Sequence, residues 1–300
     1  MGKTGEQYEI SAAGARAIIT ERGATLRYYE SGGAPYTETF AEDAKPPLAC
    51  GNILVPWPNR TAKASWTYEG TPQQLTVTEQ ERGNAIHGLA RKRAWQVLDR
   101  EAGAITLGVD IPEGEGWPVA LRTEVTYRLT ADGLGVSHLV RNTGNARAPF
   151  GLGTHPYVRA GNRDNDECVL EMPVSRWLPL NRETMIPSGA LEDVPAIGGA
   201  TAGEIRADRP LDASFTGIEF GTDGRAHYRL VHPDGDGVEL WAGPEFPWVQ
   251  AFTPPEFDGR PGAVAIEPMT CPPDALNSGD DLIWLEPGAQ WHGEWGIRPL

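Results

Sequence analysis

The chain has 300 residues, a net charge of -15 and a sequence pI of about 4.8. That length can bury a sizeable core, as one large β domain or as two ordinary ones. So acidic a surface argues against nucleic acid and anionic membranes as partners, and it disfavours polyphosphate substrates unless a local arginine cluster overrides it.

Read from the N-terminus, residues Met1 to Gln7 hold no apolar leader. No stretch approaches the roughly 18 apolar residues of a membrane-spanning helix. Helical periodicity is nearly absent. Instead, 36 glycines and 26 prolines separate short alternating runs, and such runs read as strands. The first are Tyr8 to Ala13, Thr25 to Tyr29 and Ile105 to Ile111. Thr123 to Leu129 alternates cleanly, and Gly135 to Val140 follows the turn Ala131-Asp132-Gly133. Arg159 to Asp166 reads as a loop, and Leu191 to Arg209 as a loop with a short helix. Strand patterns resume at Tyr228 to His232 and Val238 to Ala242, joined by the hairpin signal Pro233-Asp234-Gly235-Asp236-Gly237. Val249 to Phe252, Ala263 to Glu267, Leu282 to Leu285 and Trp291 to Ile297 complete the series. Roughly fifteen or more strands exceed what one open sheet holds comfortably. The expectation is an all-β protein, a large antiparallel β-sandwich. With no linker, repeat or low-complexity tract evident, residues 1–300 read as a single domain.

Several polar residues stand in apolar or rigid surroundings. Asn59-Arg60 ends Pro56-Trp57-Pro58-Asn59-Arg60. His87 precedes Gly88, which permits close approach of a ligand or of backbone. His155 lies between the flexible Phe150-Gly151-Leu152-Gly153-Thr154 and the rigid Pro156-Tyr157. Glu267 ends the apolar run Ala263 to Ile266. Partial burial of Glu267 would raise its pKa toward neutrality, which suits a general base. A strand-end carboxylate paired with an arginine is the plainer alternative. The histidines could equally be held by backbone carbonyls or turns, although their pKa range suits proton transfer near neutral pH. His138, His227, His232 and His292 read as structural.

Cys50, Cys168 and Cys271 are far apart and odd in number, so no disulfide framework is expected and a reducing cytoplasm fits. Cys271 is near Glu267 in sequence, but no adjacent base activates it as a nucleophile. The histidines lack zinc-ligand spacing, and no GxSxG, GxGxxG or GxxxxGK motif occurs in a suitable context. No metal and no cofactor are therefore expected. Flat aromatics beside planar hydrogen-bonding groups suit a sugar, which presents C–H faces ringed by hydroxyls. Trp57 beside Asn59-Arg60, and Phe246-Pro247-Trp248-Val249-Gln250-Ala251-Phe252, offer both kinds. Most tryptophans of a sandwich are nevertheless core.

Taken in order, Asn59-Arg60, His87-Gly88, Gly153-Thr154-His155-Pro156-Tyr157, Leu211 to Thr216 and Ile266-Glu267-Pro268 with Pro273-Asp274-Ala275-Leu276-Asn277 resemble the aldose 1-epimerase (galactose mutarotase) family. The resemblance runs from about residue 20 to the C-terminus. Thr154-His155-Pro156-Tyr157 and His87-Gly88-Leu89 resemble its bacterial aldose-epimerase-like branch. The resemblance implies a galactose mutarotase-like supersandwich acting on a small-molecule monosaccharide; the cytoplasm is the expected location, and monomer and homodimer both stay open. It also implies roles: Glu267 as general base, His155 as protonated general acid, and Arg60, His87 and Asp212 as ligands of the sugar hydroxyls. Asn59 and Trp57 join them as candidate substrate contacts. Two other readings stay open. One is a non-catalytic carbohydrate-binding protein. The other is a different enzyme on this fold: a hexose-6-phosphate epimerase, with Arg91-Lys92-Arg93 as phosphate ligand or merely a solvated loop, or a hydrolase using Glu267 and Asp212.

Overall fold

A computed structural model describes residues 2–194, 199–208 and 210–300. Alternation decides most of it. Leu121–Thr130 and Gly133–Asn142 pair antiparallel over ten residues each, from Leu121 opposite Asn142 to Thr130 opposite Gly133. Along Leu121–Thr130, every second side chain is buried, as a sheet with one wet face requires. The C-terminal strand Gln290–Pro299 lies against Gly133–Asn142 and places the end of the chain mid-sheet. The Pro233–Gly237 turn joins Ala226–Val231 to Gly237–Ala242 as an antiparallel hairpin. Together with Gln96–Glu101, Ala104–Ile111 and Val169–Glu171, these strands form one eight-stranded sheet.

A second eight-stranded sheet carries the candidate site. Its order is Glu192–Asp193, Val174–Leu178, Asp212–Ile218, Trp248–Phe252, Val264–Met269, Gly153–Thr154 and Ile53–Leu54, with Tyr157–Val158 also paired to Val264–Met269. All six residues of Val264–Met269 are buried. A strand enclosed on both faces reads as a continuous apolar run, not as an alternation. Pro268 does not end this strand, which runs on to Met269 with Pro268 opposite Val249. The architecture is thus all-β and antiparallel, a large sandwich.

Two α-helices occur among the described residues, Ala202–Asp208 and Ala275–Ser278. The first falls in the Leu191 to Arg209 stretch, of which residues 195–198 and 209 lie outside the described residues. No described helix is long and apolar enough to cross a membrane.

The main core includes a run of indoles. Trp57 stacks on Trp117 (centroids 5.9 Å, 29°), and Trp117 stacks on Trp66 (5.3 Å, 30°). Trp57 therefore corrects the sequence reading: a ring face expected to meet a sugar is spent on Trp117, in the core. Offset stacks of this kind add about 0.5–1.5 kcal/mol beyond area burial. His138 accepts a buried hydrogen bond from Trp295 Nε1 at 3.0 Å, a structural role. His227 lies inside Ala226–Val231 rather than flanking it, with Nδ1 3.0 Å from the buried Glu239.

Candidate active site

Glu267 lies in the middle of the second sheet. Opposite it on the neighbouring strand is Gln250, and opposite Gln250 on the next is Ser214. Asp212 is two residues from Ser214, so the two-residue period of a strand turns all four side chains to one face. The Ser214 hydroxyl and the Gln250 amide oxygen are hydrogen-bonded, and Gln250 Nε2 donates to Asp212 Oδ1 at 2.6 Å. The polar row thus runs from Glu267 to Asp212 through Gln250, which is itself buried.

His155 reaches the same place from the short crossing between Gly153–Thr154 and Tyr157–Val158. Its backbone is pinned on both sides: its N–H donates to Asn52 O at 3.0 Å, and its carbonyl accepts from Gly51 N at 2.8 Å. The Tyr157 ring stacks on the imidazole (5.2 Å, 22°), and Phe257 packs behind Tyr157 at 4.8 Å. So held, His155 Nε2 is 3.4 Å from Glu267 Oε1, with the two residues 4 % and 2 % exposed.

His87 completes the imidazole pair, edge-on to His155 with centroids 5.4 Å apart. It has a left-handed backbone, φ 65°, and its N–H donates to Asn59 O at 2.9 Å. Gly88 follows at φ 67°, where a Cβ would run into the Val55 carbonyl. The close approach expected at this glycine is to backbone.

Asn59 is also left-handed (φ 54°), and its side-chain oxygen accepts from Arg60 N at 2.9 Å. Asn and Asp tolerate this conformation because their short side chains bond locally. Asn59 thereby shapes the turn that carries both Arg60 and His87. Arg60 Nε donates to both carboxylate oxygens of Glu79 at 3.1 Å, while Nη2 is 3.8 Å from Asp212 Oδ2. Asp274 braces this strand: its N–H donates to Arg60 O at 2.7 Å and its carboxylate accepts from Ala62 N at 2.9 Å.

Electrostatics divides the pair. Burial pushes Glu267 well above the usual carboxylate range; the Asp212 charge adds to this and Arg60 opposes it. Burial pushes His155 down to about 3, with a backbone hydrogen bond opposing and the charges of Arg91 and Arg60 reinforcing. His87 is pushed well below its ordinary value by burial, then by His155, Arg91 and Arg60. Burial thus favours leaving the proton on the carboxyl and the imidazole neutral over charging both groups. The physical reason is that two charges withdrawn from water cost more than this geometry returns.

The structure brings Glu267, His155, His87, Arg60 and Asp212 together. It gives Asn59 a turn-forming position and Trp57 a core one. The sequence reading held Gln250 only within the Phe246 to Phe252 segment offered to a sugar, and Ser214 only within Leu211 to Thr216, and joined neither to this row. Cys271 is fully buried and its thiol pushed up to about 12, so it is no nucleophile. No group of three or more His, Cys, Asp or Glu suited to a metal ion occurs among the described residues.

A β-sandwich enclosing a buried carboxylate beside two imidazoles and an ion-paired arginine has the makings of an acid–base site for a neutral polar ring. The aldose 1-epimerase family model matches residues 6–298, and the chain belongs to that family. It is 30% identical over 286 residues to the uncharacterized Escherichia coli protein YihR, covering 95% of this chain and 90% of that one. Uncharacterized YphB of the same organism is 24% identical over 298 residues, covering 97% and 98%. Among solved structures, a galactose mutarotase-like protein from Clostridium acetobutylicum superposes with a TM-score of 0.84 at 17% identity, covering 97% of this chain and 94% of that one. An aldose epimerase homologue from C. elegans gives 0.83 at 20% identity, covering 98% of each. At such identities these structures speak to the fold.

Proposed function

We propose that this chain is a single-domain aldose 1-epimerase that interconverts the α and β anomers of a free aldose by opening and reclosing its ring. The observation that carries the reading is the His155–Glu267 pair, 3.4 Å apart, buried, with proton affinities displaced in opposite directions. Perturbed pairs of this kind mark acid and base partners.

A cyclic aldose is a hemiacetal. Opening it removes the proton of the C1 hydroxyl and adds one to the ring oxygen. The aldehyde then turns about C1–C2, and closure on its other face reverses both transfers. One proton suffices for the cycle. With the proton on His155 and Glu267 ionised, Glu267 takes the C1 hydroxyl proton while His155 gives its own to the ring oxygen. The pair is then Glu267 protonated and His155 neutral, the arrangement that burial favours, and it faces the open aldehyde. Closure returns both protons. The neutral and ion-pair forms hold the same number of protons, so interconverting them needs only transfer between the groups. Arg60, His87 and Asp212 hold the hydroxyls in this scheme, and Arg60 favours the ionised carboxylate. No outside acid, base or cofactor enters it.

Polarimetry on freshly dissolved α-D-glucose, α-D-galactose and glucose 6-phosphate tests the reading. Faster relaxation to the equilibrium rotation of at least one, with a chromogenic glycoside left intact, is the expected outcome. Relaxation at the spontaneous rate for every aldose tried would leave a binding protein, and cleavage of the glycoside would point to hydrolysis.

A further inference from the structure

The basic run Arg91-Lys92-Arg93 divides in the fold. Lys92 is exposed, and Arg93 Nη2 lies 2.6 Å from Glu115. Arg91 is half-buried, and its Nε is out of solvent with no hydrogen-bond acceptor. A guanidinium keeps its charge at any ordinary pH. Withdrawing that charge from water without a counter-charge is costly. Arg60, Arg206 and Arg260 are matched by Glu79, Asp166 and Glu38, and the half-buried Arg27 and Arg225 rest on the Phe40 carbonyl and the Trp241 ring.

Arg91 sits beside the candidate site. It follows His87 by four residues, in the 3-10 turn Ala90–Lys92. The N–H groups of Leu89 and Ala90 both donate to Val55 O, at 2.9 and 3.1 Å. The turn packs on Ile53–Leu54, where Ile53 pairs with Thr154, the residue before His155. Backbone ties thus hold Arg91 against both histidine segments, and its charge reaches both imidazoles.

We propose that Arg91 receives a singly charged oxyanion substituent on the sugar, such as the carboxylate of a uronic acid. The inference rests on the proposed anomer interconversion and narrows its substrate class to an anionic aldose. The planar fork of a guanidinium matches a carboxylate through two parallel N–H donors. A phosphate monoester carries nearly two charges at neutral pH. With Arg93 paired to Glu115 and Lys92 turned to solvent, Arg91 would leave one of those uncompensated.

The test compares glucuronate, glucose and glucose 6-phosphate on the wild type, Arg91→Gln and Arg91→Lys. Binding is read by calorimetric titration and anomer exchange by NMR. The wild type should bind glucuronate about ten- to a hundredfold more tightly than glucose, the worth of a hydrogen bond to a charged group. Arg91→Gln should bring that ratio close to one, Arg91→Lys should lie between, and added salt should weaken the preference. A wild-type ratio near one, or a ratio unmoved in Arg91→Gln, overturns the proposal. Tighter binding of glucose 6-phosphate than of glucuronate overturns the single-charge assignment. Should Arg91→Gln fail to fold, the wild-type ratio and its change in Arg91→Lys decide. Preferential glucuronate binding without anomer exchange would sink the epimerase reading and leave the anion site standing. Exchange of all three sugars with equal binding would do the reverse.

Discussion

Glu267→Gln separates two claims about the carboxyl: that it carries protons in the reaction, and that its burial holds it above the ordinary carboxylate range. The amide matches the carboxyl in shape and cannot ionise. Losing one positioned proton transfer should lower kcat by about 10²–10⁴ while sugar binding persists. The stability effect follows from linkage. Glu267 is raised in the folded state above the ordinary glutamate value of 4.5, so its contribution is complete below that pH and is lost as pH rises toward the folded value. The variant, neutral throughout, avoids that loss. Its advantage should therefore be small near pH 4.5 and grow by up to about 1.4 kcal/mol per pH unit across the window, or roughly 2–4 °C in Tm per kcal/mol. Thermal unfolding of both proteins at pH 4.5, 6 and 7.5, beside polarimetric rates, measures the two effects. A stability gap that stays flat with pH would refute the buried, raised carboxyl. Near wild-type anomerisation would refute its role as proton carrier.

Three further outcomes are expected. Arg60→Ala should raise KM by about ten- to a hundredfold with a smaller change in kcat, because it deletes a donor beside Asp212 and leaves Glu79 without its main partner; an unchanged KM for every responsive aldose would count against a hydroxyl-binding role. Gly88→Ala should destabilise by about 2–4 kcal/mol, because its left-handed backbone and the Val55 carbonyl both resist a Cβ; a Tm within about 2 °C of wild type would show that the His87 loop can shift. The pH profile of kcat/KM should be bell-shaped, with the acid limb displaced below the ordinary histidine range toward about 3 and the alkaline limb above the ordinary carboxylate range; an acid limb near 6.5 would mean that an exposed histidine carries the proton.

What the sequence disclosed depended on contrast with neighbouring residues. Leu121–Thr130 and Gly133–Asn142 were legible because one face is wet and the other dry, which writes period two into the chain. Gln96–Glu101 was not, since all six of its residues are exposed at a sheet edge. Glu267 and His155 stood out as polar groups in apolar or rigid company. Asp212 did not stand out, because what makes it part of a polar row is Gln250, on a strand 38 residues later. Only the family resemblance pointed to it.

Trp57 and Arg91 show the same limit from opposite sides. An indole next to Asn59-Arg60 could face a ligand or the core, and the stack on Trp117 decides for the core. Three adjacent basic residues look alike in sequence, yet the fold exposes one, pairs another with Glu115 and leaves the third half-buried with its Nε unpartnered. Spacing reports which residues are near in the chain, whereas charge compensation depends on segments that meet only after folding. The protonation of the pair belongs to the same category. Sequence supplies a carboxyl and an imidazole, and their range of ordinary pKa values invites an ion pair. The enclosing strands withdraw both from water and favour the neutral form over the ion pair. The site's chemistry is thus set as much by the dry face of Val264–Met269 as by the two groups on which the proton moves.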